Sequence, residues 1–527
     1  MRGIISAEEA VNMIPDGARI AVGGFLGFGC SEEILKAIRQ RYDDAGHPKD
    51  LTLVKGVSIG DKGERGVNRL AAEGLLKCVI CSHFGLEPEI AKMAADNKFF
   101  LYMLPLGTIT DWLRAVASHS PGLMTYVGLG TFVDPRIEGA KGNELTKEKG
   151  GDIVKLMEVN GKECLYYDTA PLDVCVIRGT YADEDGNISL SKEAIHGDQF
   201  EIAAAAYNSG GTVIVQVEKI VKRGSLDPRD VKIHGFMVDY VVVAKPENHP
   251  QTFTSDVYRP ELTGDIKVPL ESVEKMPLQE RKICGRRAAL ELKRNTLVNL
   301  GIGMPDAVAS VAAEEGISSE FTLSIESGVL GGVPLGGLAL GGSVNPEAFY
   351  KMSDILNLYD GGGLDMAVLG LAEIDEMGNL NVSKFHGKVM GPGGFIDITQ
   401  QTPFVIFTGT FTAGKSDIRV ENGKLNIVRD GSVLKFKKQV EQITFSGPMS
   451  RKRGQKVMVI TERAVFLLTE QGLMLTEYAP GVDVEKDILG KMEFRPLISE
   501  GLKEMDSALF MEHPLGKDFF FQEEGKE

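Results

Sequence analysis

The sequence has few of the residues that build disulfide frameworks and zinc sites. Its 527 residues include 6 cysteines, 8 histidines and 1 tryptophan. Six cysteines over this length do not make a disulfide framework, so a reducing, cytoplasmic location is expected. Cys78-Val-Ile-Cys81 is a single CxxC pair with apolar residues between its cysteines. No second pair completes a zinc site, so the pair indicates a strand in the core, and we expect no metal.

The sequence also lacks a basic cluster and a good membrane-spanning stretch. Acidic side chains number 74 and basic ones 58, for a net charge of −16, and no stripe of lysine or arginine stands out. Nucleic acid is therefore not expected as a partner. Residues 327–346 carry no charge, but Pro334 and repeated glycines make them a poor lipid-facing helix. Glu8 and Glu9 interrupt any signal-peptide core, so no membrane association is expected.

The most extended pattern in the sequence is an internal repeat. Residues 172–192 align with residues 364–384 at an offset of 192 positions, and nine of the 21 aligned positions are identical. Each copy consists of an apolar strand pattern, a polar stretch, a Gly-Asn turn and a second strand pattern. A repeat of this kind predicts a duplicated α/β protein with two related halves.

Each half also contains a strand that leads into glycines. In the first half, Arg19–Val22 leads into Gly23-Gly24-Phe25, and a helix pattern begins near Ser31. In the second half, residues 296–300 lead into Gly301-Ile-Gly-Met-Pro305 and another helix pattern. Strand, glycine turn and helix form the unit that binds phosphates or cofactors at the end of a parallel sheet.

The domain boundary is predicted from the distribution of proline. Residues 246–277 contain five prolines, which mark a linker. We therefore predict an N-terminal domain over 1–245 and a C-terminal domain over 278–527. The first half has more sequence between its glycine turn and its Gly-Asn repeat, so we place an insertion near 100–165.

One stretch imitates a nucleotide-binding loop. Gly409-Thr-Phe-Thr-Ala-Gly-Lys-Ser416 matches the P-loop pattern G-x-x-x-x-G-K-[ST], and an apolar strand pattern precedes it. A P-loop requires a following helix whose N-terminus faces the phosphates. Here the following residues alternate as a hairpin around Asn422-Gly423 instead. An NTP-dependent enzyme therefore stays a weaker alternative.

A carboxylate and two glycine-rich stretches suggest acyl-transfer chemistry. Glu326 is followed by an uncharged segment in which seven of the sixteen residues in 327–342 are glycine. This arrangement suits a carboxylate nucleophile lined by backbone N–H groups, although a flexible surface loop explains it equally well. Gly391-Pro-Gly-Gly-Phe395 can turn successive N–H groups toward one point, as an oxyanion hole requires.

These motifs together resemble the class I CoA-transferases in their fused, single-chain form. The similarity runs over nearly the whole chain and is greatest to the acetate and propionate transferases of broad short-chain specificity. It is carried by Asp16–Phe25 with Gly29, Asn299–Pro305, Glu326–Gly331 and Gly391–Phe395. Ser31 stands where many members have proline. Ile325-Glu326-Ser327-Gly328 differs from the Ser-Glu-Asn-Gly of many 3-oxoacid transferases, which argues against that branch.

The resemblance implies a fold, a reaction and roles for named residues. The fold would be α/β, with two homologous open Rossmann-like domains in one chain. The reaction would transfer CoA between short-chain acids by a ping-pong mechanism through a glutamyl-CoA thioester on Glu326, with CoA as co-substrate and no tightly bound cofactor. An acyl-CoA hydrolase is the alternative on the same fold. A homo-oligomer, dimer or tetramer, is also implied. The implied site residues are Gly393 and Gly394 for the oxyanion, Asn299, Gly301, Gly303, Gly328 and Gly331 for CoA, and Gly23, Gly24, Phe25 and Val329 for the substrate pocket.

Overall fold

The computed structural model describes residues 1–269 and 276–521, and these form two compact units. Unit 1 consists of Met1–Val268, Glu326–Asn357 and Ser383–Asp397. Unit 2 consists of the described parts of Pro269–Ile325, Leu358–Val382 and Ile398–Glu527. The units reflect packing and do not coincide with the two halves of the sequence. The predicted domain limits stay a prediction, and part of the predicted linker, 270–275, lies outside the described residues.

Unit 1 is built on a sheet of eight parallel strands. They are β1 (Gly3–Ile4), β2 (Arg19–Val22), β3 (Leu51–Val54), β4 (Leu76–Cys81), β5 (Phe100–Met103), β6 (Val174–Arg178), β7 (Thr212–Val217) and β8 (Tyr240–Val243), in the spatial order β1-β8-β7-β6-β2-β3-β4-β5. All five residues of β6 are buried, as expected for a central parallel strand. The strand order reverses between β2 and β6, which is where open α/β sheets bind ligands.

The helices and smaller sheets of unit 1 surround this parallel sheet. Helix α1 (Ala7–Val11) opens with a capping box between Ser6 and Glu9. The other helices are α2 (Glu32–Ala45), α3 (Pro88–Ala95), α4 (Leu106–Ala117), α5 (Glu144–Lys149) and α6 (Gln199–Asn208). Two further sheets consist of Tyr181–Asp183, Ile188–Ser189, Lys219–Val221 and Val231–Ile233, and of Gly122–Thr125, Val154–Val159 and Lys162–Asp168. The second of these lies in and just beyond the predicted insertion.

Unit 2 has a mixed sheet. Its strands are β9 (Leu297–Leu300), β10 (Thr322–Ser324), β11 (Met366–Gly370), β12 (Phe404–Thr408), β13 (Lys456–Ile460), β14 (Ala464–Thr469), β15 (Gly472–Tyr478) and β16 (Leu497–Glu504), in the order β10-β9-β11-β12-β13-β14-β15-β16. The first five positions run parallel, and β14 is antiparallel to both of its neighbours. The helices are α7 (Glu280–Ala289), α8 (Ala307–Glu314), α11 (Gly447–Arg453) and α12 (Lys517–Phe520), while α9 (Met352–Asp360) and α10 (Phe395–Gln400) lie where the chain passes between units.

Short strands complete both units. In unit 1 the pairs are Val329–Leu330 with Ala348–Phe349, Val333–Pro334 with Ser343–Val344, and Lys384–Phe385 with Lys388–Val389. In unit 2 they are Glu373–Asp375 with Leu380–Asn381 and Phe436–Lys437, Thr412–Ala413 with Val433–Leu434, and Asp417–Glu421 with Lys424–Arg429. The α/β fold predicted from the sequence is thereby confirmed.

The internal repeat is visible in the structure as matching turns. In the first copy, Asp183 accepts hydrogen bonds from the backbone and, at 2.9 Å, from the side-chain amide of Asn187. In the second copy, Asp375 accepts the same pair of bonds from Asn379, with a side-chain distance of 3.0 Å. The strands before these turns, β6 and β11, each lie parallel to the strand that ends in a glycine turn, β2 and β9. The repeat is a structural duplication.

Two further predictions from local patterns are confirmed. The residues after the P-loop-like stretch form the antiparallel hairpin Asp417–Glu421 and Lys424–Arg429, with Asn422 and Gly423 at φ values of 52° and 74°. The phosphate-facing helix of a P-loop is therefore replaced by a strand. Cys78 and Cys81 lie in strand β4 as free cysteines.

The Pro-rich segment after β8 is packed rather than extended. Over 246–268 it belongs to unit 1, where Arg178 Nη1 donates to the carbonyl of Pro250 at 2.6 Å. Thr252 and Leu262 are fully buried. The N–H of Asn345 donates to the carbonyl of Glu261 at 2.9 Å. This part of the predicted linker therefore supports the segment that follows Glu326.

Candidate active site

Glu326 lies in a turn that its neighbours fix on both sides. The Glu326 side chain is half-buried. Ser327 is fully buried, and its Oγ donates to the carbonyl of Gly341 at 2.6 Å. Gly328 has φ 101°, and a methyl group added there would lie 2.2 Å from the carbonyl oxygen of Tyr350. Only glycine fits this position, because the backbone conformation and the close approach both exclude a side chain.

The uncharged segment after Glu326 rests on the loop that follows β2. A methyl group added at Gly341 would lie 2.6 Å from Cε1 of Phe25, and one added at Gly342 would lie 3.0 Å from Cζ of Phe28. Farther along, the ring of Phe349 stacks on His196 with centroids 5.6 Å apart. Gly341 and Gly342 have no room for side chains because aromatic rings occupy that space. The segment is thus packed against the carboxyl end of the parallel sheet, and the flexible-loop alternative is not supported.

The loop at the end of β2 is held by the start of helix α6. The side-chain amide of Gln199 fills the space beside Gly23 and Gly29, where added methyl groups would lie 2.6 Å and 2.7 Å from it. Asp198, the residue before α6, is 1% exposed. Burial and the nearby charge of Glu201 raise the pKa of Asp198 to about 7, against the N–H of Gly24, which favours the ionised form. An uncommonly basic carboxyl therefore lies beside the predicted pocket residues.

The loop Gly391-Pro-Gly-Gly-Phe395 lies at the ends of the neighbouring strands β4 and β5. The N–H of Gly393 donates to the carbonyl of Ser82 at 3.0 Å, and the carbonyl of Gly393 accepts from the N–H of Leu106 at 3.1 Å. A methyl group added at Gly391 would lie 2.2 Å from the Ser82 oxygen. Gly394 is buried, and its N–H has no acceptor among residues 1–269 and 276–521. Gly394 therefore offers the unused donor of this loop.

A buried ion pair supports the loops after β3 and β4. Lys55 Nζ lies 2.9 Å from the Glu87 carboxylate, and neither side chain is exposed. Lys55 also donates to the carbonyl of His83 at 2.8 Å, and the N–H of Ile59 donates to Glu87. Burial raises the pKa of Glu87, whereas the charge of Lys55 lowers it. Burial lowers the pKa of His83 to about 4, so this imidazole is neutral at neutral pH.

The glycine turn of unit 2 has a different character. Asn299 is the penultimate residue of β9, and its side-chain amide donates to the carbonyl of Ser324 at 2.9 Å. Gly301 is closely packed, since an added methyl group would lie 2.9 Å from Cδ2 of Leu369. Gly303 is exposed at φ 86°, and no atom of the described residues lies within 4 Å of an added methyl group. Of the three residues, Gly303 is the most exposed, and its N–H donates to Asp306 Oδ2 at 3.2 Å.

The predicted site residues therefore fall into two groups. One group belongs to unit 1 and comprises Gly23, Gly24, Phe25, Glu326, Gly328, Val329, Gly331, Gly393 and Gly394. The other belongs to unit 2 and comprises Asn299, Gly301 and Gly303. The sequence interpretation missed Asp198, Gln199 and the pair Lys55–Glu87. Their only local signal is a polar residue next to an apolar strand or at a helix start.

The part of the chain that the structure describes contains neither a metal-binding cluster nor a membrane-spanning helix. No group of three or more histidine, cysteine, aspartate or glutamate side chains there is arranged to hold a metal ion. Across the same residues, no helix is both long and apolar enough to cross a membrane.

Known proteins are similar to this chain in sequence and in fold. The coenzyme A transferase family model matches residues 4–244. A caffeate CoA-transferase from Acetobacterium woodii is 45% identical over 98% of this chain and 99% of its own length. The acetate CoA-transferase YdiF from Escherichia coli K12 is 43% identical, over 97% of this chain and 96% of its own.

Solved structures agree with these relatives. The crystal structure of the acyl-CoA transferase YdiF apoenzyme from Escherichia coli O157:H7 matches with a TM-score of 0.92 and 42% identity, covering 98% of this chain and 97% of that one. A thioester complex of YdiF with CoA matches equally well, at 41% identity over the same shares. Nearly full coverage at this identity shows the relationship along the whole chain. The chain belongs to the coenzyme A transferase family.

Proposed function

We propose that this CoA-transferase exchanges CoA between short-chain acids through a covalent glutamyl-CoA thioester on Glu326. The observation that carries the proposal is that unit 1 holds Glu326 in a fixed turn and seats the Gly391–Phe395 loop on the carboxyl edge of the same sheet. The YdiF structure that was solved as a thioester complex with CoA supports a covalent intermediate.

The first half-reaction forms that thioester in two steps. The Glu326 carboxylate attacks the thioester carbonyl of an acyl-CoA, and the tetrahedral oxyanion accepts a hydrogen bond from a backbone N–H. Collapse expels the CoA thiolate and leaves an acyl-glutamyl anhydride. The thiolate then attacks the glutamyl carbonyl, which releases the first acid and leaves Glu326 bound to CoA. An incoming carboxylate reverses these steps and departs as the new acyl-CoA.

The structure favours Gly394 over Gly393 as the oxyanion donor. The N–H of Gly393 already donates to Ser82, whereas the N–H of Gly394 has no acceptor among the described residues. Gly393 then contributes by shaping the loop, with φ 55°. For CoA, the exposed turn at Gly303 is the preferred contact, through its surface rather than through its N–H, which already donates to Asp306. Gly328 and Gly331 are already required by close packing within unit 1.

Short-chain acids are proposed because two of the pocket candidates, Phe25 and Val329, are buried. Phe25 and Val329 are each 1% exposed, and Phe25 packs against Gly341. A wall of this kind admits a small acyl group and collides with a longer one. The two relatives are named for acetate and for caffeate, so the specificity for the acid has to be measured. A cytoplasmic location and a homo-oligomer stay part of the proposal.

Hydrolysis is the second candidate function. It uses the same Glu326 intermediate and differs only in whether water reaches it. Measuring thioester loss from acetyl-CoA with and without an acceptor acid separates the two, because a transferase requires the acceptor. The hairpin after Ser416 gives no support to an NTP-dependent enzyme.

The experiment that tests the proposal is peptide mapping after incubation with acetyl-CoA. We expect CoA on the tryptic peptide that contains Glu326, and loss of the adduct after borohydride. Glu326→Ala should abolish both adduct and transfer while the melting temperature changes little, because the lost interaction is covalent chemistry. Glu347→Gln, on the same segment, is the matched control and should keep both. Full transfer activity in Glu326→Ala would contradict the proposal.

A further inference from the structure

Helix α4 begins without a capping side chain of its own. The residue before it is Pro105, which makes no side-chain capping bond. The first two N–H groups of the helix instead bond to the glycine-rich loop of the chain's second half. The N–H of Leu106 donates to the carbonyl of Gly393 at 3.1 Å, and the N–H of Gly107 donates to Asp397 Oδ1 at 3.1 Å. Helix α4 is thus capped by residues almost 300 positions later.

The same bonds determine where the Gly391–Phe395 loop lies. Both polar backbone groups of Gly393 are used, one by Ser82 and one by Leu106. Asp397 is fully buried in the first turn of α10, three residues after Gly394. Its Oδ1 holds that turn against α4, while Oδ2 has no hydrogen-bond partner among the residues described. Gly394 therefore lies between two anchors, the backbone bonds of Gly393 and the Asp397 carboxyl.

We propose that Asp397 is a positioning residue for acyl transfer, because its bond to the N–H of Gly107 fixes the direction in which Gly394 presents its own N–H. This inference rests on the proposed function, in which Gly394 stabilises the oxyanion. Asp397 itself touches neither the substrate nor the reacting atoms. Its role is to hold the donor at the required angle, where small displacements cost much of the rate.

The protonation state of Asp397 gives the role a signature. Burial raises the pKa of Asp397 to about 8, against the N–H groups of Gly107 and Leu106, which favour ionisation. The other titratable groups that act on it are Asp111 on α4 and Tyr167 on the strand Lys162–Asp168. When Asp397 ionises, a negative charge appears near the developing oxyanion. We therefore expect kcat to fall as the pH rises through about 8.

Substitution of Asp397 by asparagine and by alanine tests the proposal. Asp397→Asn keeps an oxygen that accepts from Gly107 and cannot ionise, so it should retain most of the activity at pH 7 and lose the fall in kcat near pH 8. Asp397→Ala removes the bond and should lower kcat by about 100-fold while KM changes by about twofold or less. If Asp397→Ala does not fold, the pH profile of Asp397→Asn decides alone.

The control is a carboxyl far in sequence from the Gly391–Phe395 loop. Asp183→Asn alters the carboxylate that accepts from Asn187 in the first Gly-Asn turn, and it should keep the wild-type pH profile. An unchanged kcat in Asp397→Ala, or a wild-type pH profile in Asp397→Asn, would overturn the positioning role. Trapping of CoA on Glu326 in the wild type separates the two proposals. Without that adduct the proposed function fails, whereas an adduct that forms equally fast in Asp397→Ala removes only the role of Asp397.

Discussion

Each copy of the repeat is followed by a helix, and the residues at the two helix starts differ in their side chains. In the first copy the chain reaches α6 through Asp198 and Gln199, and the Gln199 side chain fills the space beside Gly23 and Gly29. In the second copy it reaches α10 through Gly393 and Gly394, whose backbone is not covered by side chains of their own. The duplicated fold thus has a filled turn at Asp198 and Gln199, whose side chains pack on neighbouring residues, and a bare turn at Gly393 and Gly394, which has no side chains. The bare turn is the one suited to chemistry, because a substrate can approach its backbone closely.

Substitution at the bare turn should have the largest effect of the tests that follow. Gly394→Val should lower kcat by about 100-fold or more, because an oxyanion donor acts mainly in the transition state. Gly303→Asn, in the glycine turn of unit 2, should instead raise KM for acyl-CoA with little change in kcat. Steady-state kinetics with acetyl-CoA and propionate measures both. Equal, small effects at the two positions would mean that both are ordinary structural turns.

The packed and open glycines of the segment after Glu326 allow a test of stability. Gly341→Ala places a methyl group 2.6 Å from Phe25 at a φ of 99°. We expect a loss of about 1–3 kcal/mol in the free energy of unfolding, from overpacking and backbone strain.

Gly336→Ala is the matched control for Gly341→Ala. It lies five residues earlier, and within residues 1–269 and 276–521 no atom lies closer than 4 Å to an added methyl group. We expect its free energy of unfolding to stay within about 0.5 kcal/mol of the wild type. Denaturant unfolding of the two variants gives both values. Equal stability would show that the segment does not pack on the loop after β2.

The stability of the protein should depend on pH through Asp198, which lies in the filled turn. Its pKa rises from 3.8 in the unfolded chain to about 7 in the folded protein, so the folded state binds the proton more tightly. Stability should therefore fall as the pH increases from about 4 to 7. Asp198→Asn still accepts from Gly24 and cannot ionise, so it should be more stable than the wild type at pH 8 and little different at pH 4. Thermal melts across this range check the sign, and the opposite order would contradict a buried, protonated carboxyl.

Local patterns predicted the parts of the site that depend on neighbouring residues. The Gly-Asn turns, the glycine turns and the hairpin after Ser416 each follow from a few adjacent residues, and the structure contains all of them. The contacts that assemble the site are not local. Ser82 meets Gly393, and Gly107 meets Asp397, across about 300 positions of sequence. No short-range pattern encodes such pairs, because the fold alone brings them together.

Buried charges escaped prediction for a related reason. Lys55 follows an apolar strand and Glu87 precedes the proline that starts α3, so each looks like an ordinary polar residue at the end of an element. Their partnership becomes visible only when β3 and β4 lie side by side. Removing one partner alone leaves an uncompensated buried charge, which is strongly destabilising.

Unit 1 is assembled from three segments that are distant in sequence, and this affects folding during synthesis on the ribosome. Its sheet is complete at residue 243, yet the segments that cover the carboxyl edge are 326–357 and 383–397. A nascent chain that has emerged only as far as the linker therefore exposes Phe25, Phe28 and the ends of β4 and β5 to water. Contacts this distant in sequence form slowly, and uncovered apolar surface favours aggregation in the interval. Termination before residue 397 should leave an aggregation-prone product that relies on chaperones.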